Sequence, residues 1–163
     1  MNSDHFSDLP DWDDEIFFLD EDQEGEEWKP NPTREACKIL YLKWKDILFL
    51  LKGILSPFLE NEEDSFEKHS AGDLIGDAYI VGAKIKSSEA GGIYVLRMEN
   101  AAIIRKHAQE IASGLLLFLE EDSIDEKHIK VLRNEIDNFR QLFIEWVNTF
   151  EKDEFTDEWG LFI

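Results

Sequence analysis

The chain is poor in cysteine, in positive charge and in long apolar runs, and each shortage removes a class of protein. Cys37 is its single cysteine, so no internal disulfide can form, and a lone thiol fits a reducing compartment. The longest unbroken apolar runs, 47–51 and 115–119, hold five residues each, against the roughly 20 that a membrane-spanning helix needs. The first residues, Asn2, Ser3 and Asp4, lack the basic start and apolar stretch of a secretory signal. The expectation is a cytoplasmic protein.

Bases are scarce. Seventeen Lys and Arg face 37 Asp and Glu, a formal net charge of −20. Neutralising phosphates takes clustered Lys and Arg, so neither nucleic acid nor an anionic membrane is an expected partner. Gly-rich phosphate loops are missing as well: Ala90-Gly91-Gly92 precedes a predicted helix, but no strand leads into it. There is no strand-like alternation of any length and no internal repeat.

What is present is unevenly spread. Residues 1–32 hold twelve acids and one base, and residues 151–163 hold five acids and one base. The residues between them carry twenty acids and fifteen bases. Both acidic ends are also aromatic, with Trp12, Phe17, Phe18 and Trp28 at one and Phe155, Trp159 and Phe162 at the other. The chain therefore divides into an acidic-aromatic extension (1–32), a helical body (33–150) and an acidic-aromatic tail (151–163).

Apolar residues recur in the body at alternating spacings of three and four, the period of one helix face. Residues 33–59 predict a first helix through Leu40, Trp44, Ile47, Leu51, Ile54 and Phe58, with Pro57 bending or ending it. A second, over 65–86, carries Phe66, Leu74, Ala78, Val81 and Ile85. Gly72, Gly76 and Gly82 weaken it by about 1 kcal/mol each relative to alanine, but would let a neighbouring helix approach. Residues 87–92 read as a hairpin connection. A third helix, 93–119, has the seam Tyr94, Arg97, Ala101, Ile104, Ala108, Ile111, Leu115 and Phe118. The fourth has Ile129, Leu132, Ile136, Phe139, Phe143, Trp146 and Phe150, with Ser123 and Glu126 spaced as a capping box. Short connections between helices of similar length predict an all-α, antiparallel, four-helix up-and-down bundle.

Catalytic patterns are not found. Di-metal carboxylate bundles need Glu-x-x-His on each of two helices; this chain has His107-x-x-Glu110, reversed, and Asp125-x-x-His128 in a helix's first turn. No metal ligands and no cofactor are expected. Glu60-x-x-Glu63 and Glu151-x-x-Glu154-x-x-Asp157 have magnesium-like spacing, but in acidic links where it arises by chance. Cys37 falls on an apolar helix face with no histidine nearby in sequence, which describes a core thiol.

One charged set stands apart. Asp73 and Asp77 share a face of the second helix, and a hairpin about 87–92 brings them level with Arg105 and near His107. Arg97, level with Gly82, holds a seam position and needs a partner. Two readings are open: an interhelical ion-pair network that fixes register, or a pocket of Asp73, Asp77, Arg97 and Arg105 for a small polar ligand or metal, with hydrolytic activity as an extension. Helix one supplies the other candidate. Leu42 and Phe49 fall opposite its packed stripe, among Lys45, Asp46 and Lys52, and ask for a cover. The covers are a second subunit or the tails, their acids meeting Lys43, Lys45 and Lys52.

The expected function is a non-enzymatic interaction or scaffold protein. It would bind a protein partner, or itself as a homodimer, through Trp12, Phe17, Phe18, Leu42, Phe49, Trp159 and Phe162. The ligand-binding bundle is the alternative. A DNA mimic fits less well, since the body is nearly charge-balanced.

Overall fold

The computed structural model describes residues 8–14 and 31–162. Among them lie four helices in sequence: α1 Pro32–Leu59, α2 Phe66–Ser87, α3 Tyr94–Glu120 and α4 Glu126–Val147. α1 packs on α2 and α4, and α3 on α2 and, less closely, on α4. This is the up-and-down four-helix bundle that the apolar period predicts. No helix among the described residues is long and apolar enough to cross a membrane.

Local chemistry sets the helix ends. Asn31 accepts from the Arg34 amide ahead of Pro32, a proline tolerated in the first turn because its missing donor would be unsatisfied there anyway. Pro57 lies inside α1, in its last turn, and the helix closes two residues later at Leu59. Ser65 caps α2 through the Lys68 amide. Between α2 and α3 the chain turns at Gly91 and Gly92, with φ of 88° and 62°, a left-handed pair that other residues adopt at a cost.

The predicted capping box at Ser123 does not form. Ser123 N–H donates to Phe118 O at 2.9 Å and Asp122 N–H to Leu119 O at 3.1 Å, with Asp122 left-handed at φ 52°. That pair of bonds closes the C-terminus of α3 in a Schellman motif. Ser123 is thereby committed to the helix it follows. Asp125 caps α4 instead, accepting from the Lys127 amide at 2.8 Å.

The core follows the predicted seams closely. Ala101, Ile104, Ala108, Ile111, Leu115 and Phe118 are all buried on α3, as are Ile129, Leu132, Ile136, Phe139 and Trp146 on α4. Trp44 sits among them with no exposed surface. Its indole donates to the Ala78 carbonyl at 2.7 Å and its ring centroid lies 4.6 Å from that of Phe139. Burying a side chain of this kind stabilises by about 1.5–3 kcal/mol, and the indole donor is satisfied as well. Phe66 departs from expectation: in the first turn of α2 it remains exposed.

Small residues act elsewhere than predicted. A Cβ on Gly114 of α3 would stand 2.6 Å from Leu74 of α2, so the close helix approach happens there. Gly76 has open space around it. At Gly82 the occupant is neither a helix nor Arg97, but Leu9 from the N-terminal segment.

Candidate functional site

Residues 8–14 lie along the side of the bundle where α1 meets α2. Leu9 is buried against Gly82. Trp12 packs on Tyr41 with ring centroids 5.6 Å apart, and the Tyr41 hydroxyl donates to the Pro10 carbonyl. Asp8 meets Lys52 at 3.0 Å, Asp11 meets Lys45 at 2.7 Å, and Asp14 meets Lys38 at 2.8 Å. Lys86 of α2 donates to the Asp11 carbonyl at 3.1 Å.

Two different periods match here. Three residues of extended chain advance about 10 Å, and seven residues of helix advance about 10.5 Å. Asp8, Asp11 and Asp14 therefore step at the same pitch as Lys52, Lys45 and Lys38, the segment running antiparallel to α1. Hydrogen bonds from Lys45 and Lys38 hold the Asp11 and Asp14 carboxyls below their ordinary range. These pairs are exposed, so each adds little stability. Burial of Leu9 and Trp12 supplies the adhesion, and the charges set the register.

This corrects one detail of the tail reading and gives the tail's cover on its own bundle a definite form. Among the described residues Lys43 pairs with Glu135 of α4, and Lys38 meets the tail in its place. Trp12 contacts its own bundle. Phe17, Phe18 and Trp28 lie outside the described residues.

The C-terminal tail behaves differently. α3 has no side-chain cap from its own Ile93, and Asp153 supplies one, accepting from the Tyr94 amide at 2.8 Å. Beyond this anchor the chain makes a turn at 157–161. Gly160 N–H donates to Asp157 O at 3.0 Å, and Leu161 N–H to the Asp157 carboxylate at 2.9 Å. Trp159 then projects with 90% of its surface exposed, and Phe155 and Leu161 are also exposed; Phe162 is half-buried. On α1, Leu42 (47%) and Phe49 (78%) face outward, joined by Ile39.

The four charged residues singled out in the sequence occupy separate places. Arg97 reaches the fully buried carboxylate of Glu89 at 3.3 Å and the Gly92 carbonyl at 3.1 Å, and Arg34 approaches the same carboxylate at 3.9 Å. Asp77 instead bonds His107 at 2.8 Å. His107 lies ten residues beyond Arg97 on α3, about 15 Å along the axis. Asp73 is exposed. Arg105 rims a groove of about 320 Å³ between α3 and α4, floored by Ala108, Ala112, Ile136 and Phe139.

Cys37 is buried, its thiol donating to the Ile85 carbonyl at 3.3 Å. Burial, reinforced by the Glu89 charge, raises its pKa, so the reactive thiolate is suppressed. Sequence reasoning overlooked Leu9, Glu89 and the Asp8-x-x-Asp11-x-x-Asp14 ladder. The ladder had a usable signal, since its pitch matches the heptad spacing of Lys38, Lys45 and Lys52.

Compared with protein-family models, curated proteins and solved structures, the chain finds no significant match.

Proposed function

We propose that this chain is a non-enzymatic interaction protein that grips a protein partner, or a second copy of itself, with aromatic side chains set among acids. The exposure of Trp159 carries the reading. Tryptophan is among the commonest energetic anchors of interfaces, and an indole 90% open to water gains more by burial than any other side chain among the described residues. Asp157 holds the turn that presents it, which reduces the ordering cost of binding. Glu154, Asp157 and Glu158 would steer the tail toward an apolar pocket rimmed by basic groups. Ile39, Leu42 and Phe49 on the outer face of α1 offer a second contact area.

Residues 8–14 play another part in this scheme. Their aromatic and apolar side chains are spent on the bundle itself, so recognition passes to the C-terminal tail and to α1.

A photo-crosslinking residue at Glu158 tests the reading. A discrete adduct is expected in cells, and Trp159→Ala should remove it while sedimentation of the purified chain shows whether the partner is a second copy. An adduct pattern unchanged by Trp159→Ala, or reproduced by a probe at the exposed Glu99 of α3, would overturn it.

A further inference from the structure

Midway along the contact between α2 and α3, two carboxylates turn toward one ring nitrogen. Asp77 Oδ1 lies 2.8 Å from His107 Nδ1, and Glu110 Oε2 lies 3.3 Å from the same atom. The donor atoms of all three residues fall within 4.8 Å of one another. Asp77 and His107 are sheltered, their side chains 21% and 17% exposed, while Glu110 is open at 46%.

A ring nitrogen carries at most one proton. Nδ1 can therefore serve one of these oxygens well, and the other sits at a longer distance. Lys106 lies 3.4 Å from the second Glu110 oxygen, where it orients that carboxylate. Two carboxylates thus converge on one ring nitrogen, Asp77 on sheltered ground and Glu110 at its open edge, in a protein of net charge −20 that draws cations generally.

We propose that Asp77, His107 and Glu110 form a site for a divalent transition metal, zinc(II) foremost. One imidazole nitrogen and two carboxylate oxygens are the donors such an ion takes, whereas magnesium and calcium prefer all-oxygen shells. A tetrahedral ion with bonds of about 2.0–2.1 Å holds its ligands roughly 3.3–3.4 Å apart. The two separations from Nδ1, 2.8 and 3.3 Å, lie near this spacing, and the two carboxylates stand within 4.8 Å of each other. His107 and Glu110, three apart on α3, share a face, and Asp77 closes the set from α2. The ion replaces the proton between Asp77 and His107, which shifts to the other ring nitrogen or leaves to solvent. Three protein ligands leave a fourth position for water or an outside donor.

The sequence pattern argued against a metal because His107-x-x-Glu110 runs opposite to the di-metal motif. A single-ion site needs no such motif, and its third ligand comes from another helix.

The test uses the full chain stripped with chelator and titrated with cobalt(II) and zinc(II). Cobalt should develop a visible d–d absorption at one ion per chain, displaced by zinc and unaffected by millimolar magnesium. Glu110→Gln, at an exposed position that keeps the fold, should weaken affinity at least tenfold, and His107→Gln should abolish the absorption while far-ultraviolet circular dichroism stays helical. Asp157→Asn, in the acidic tail, should leave it unchanged. No absorption, or equal binding by wild type, Glu110→Gln and His107→Gln, would overturn the proposal.

Discussion

Leu9 occupies the space that a side chain on Gly82 would need: a Cβ there would stand 2.8 Å from Leu9 Cδ2. A glycine that weakens α2 by about 1 kcal/mol is thus the seat of the N-terminal segment. Gly82→Leu should expel that segment while leaving the helices formed. Trp12 fluorescence should shift to the red and residues 8–14 should become protease-sensitive, with helical circular dichroism unchanged. Leu9→Ala should lower stability by about 2 kcal/mol, the low end for losing a buried leucine, measured by urea unfolding.

The same segment should respond to acid. Asp11 and Asp14 have carboxyl pKa values depressed in the folded state, mainly by hydrogen bonds from Lys45 and Lys38. A depressed pKa means that their contribution is present above the unfolded value of about 3.9 and lost as pH falls through the folded one. The segment should stay docked at neutral pH and loosen below about pH 4. Trp12 fluorescence, isolated by difference from Trp12→Phe, reads the transition. Salt should weaken docking without abolishing it, because the apolar contacts of buried Leu9 and partly buried Trp12 are not screened.

Asp153 caps a helix 59 positions away in the chain. Asp153→Ala should remove about 1 kcal/mol, the usual worth of an N-cap, and lower Tm by about 2–4 °C. Hydrogen exchange should quicken at Tyr94 and the next amides of α3, not in α4. If exchange rises evenly across all four helices, the tail does not cap α3.

Trp44 links three helices through its bond to Ala78 and its contact with Phe139. Trp44→Ala should cost about 3–5 kcal/mol. Trp44→Phe should cost less, since most of the volume stays and only the indole donor and part of the ring are lost. Denaturant unfolding of both variants measures the difference.

Much of the bundle was legible because helical periodicity is written in near neighbours. The seams of α3 and α4 needed only residues three and four apart, and both are buried through their middles, with Tyr94, Arg97, Phe143 and Phe150 partly exposed toward the ends. Leu42 and Phe49 could be placed outward by the same arithmetic. Ser123 misled because a capping box and the residue after a Schellman closure share the same types; which applies depends on where α3 stops. Arg97 was recognised as shielded and in need of a partner, yet Glu89, in the connection beside it, was overlooked in favour of aspartates farther along α2. The hairpin register did bring Asp77 to His107, and Glu110 stands beside His107 by its i,i+3 spacing, but only the rotation of α3 turns that pair toward α2.

By itself, then, the sequence determined the helices, their faces and the crowding of acid and aromatic side chains at the ends. These follow from short-range steric and apolar periods that hold whatever the helices pack against. The tertiary structure decided which groups meet. Leu9 seats on Gly82, Asp153 caps α3, and Asp77 approaches His107 and Glu110 because helix rotation and axial register bring them within a few ångströms. Those are properties of the packed core, in which every seam residue shares, and not of any local spacing.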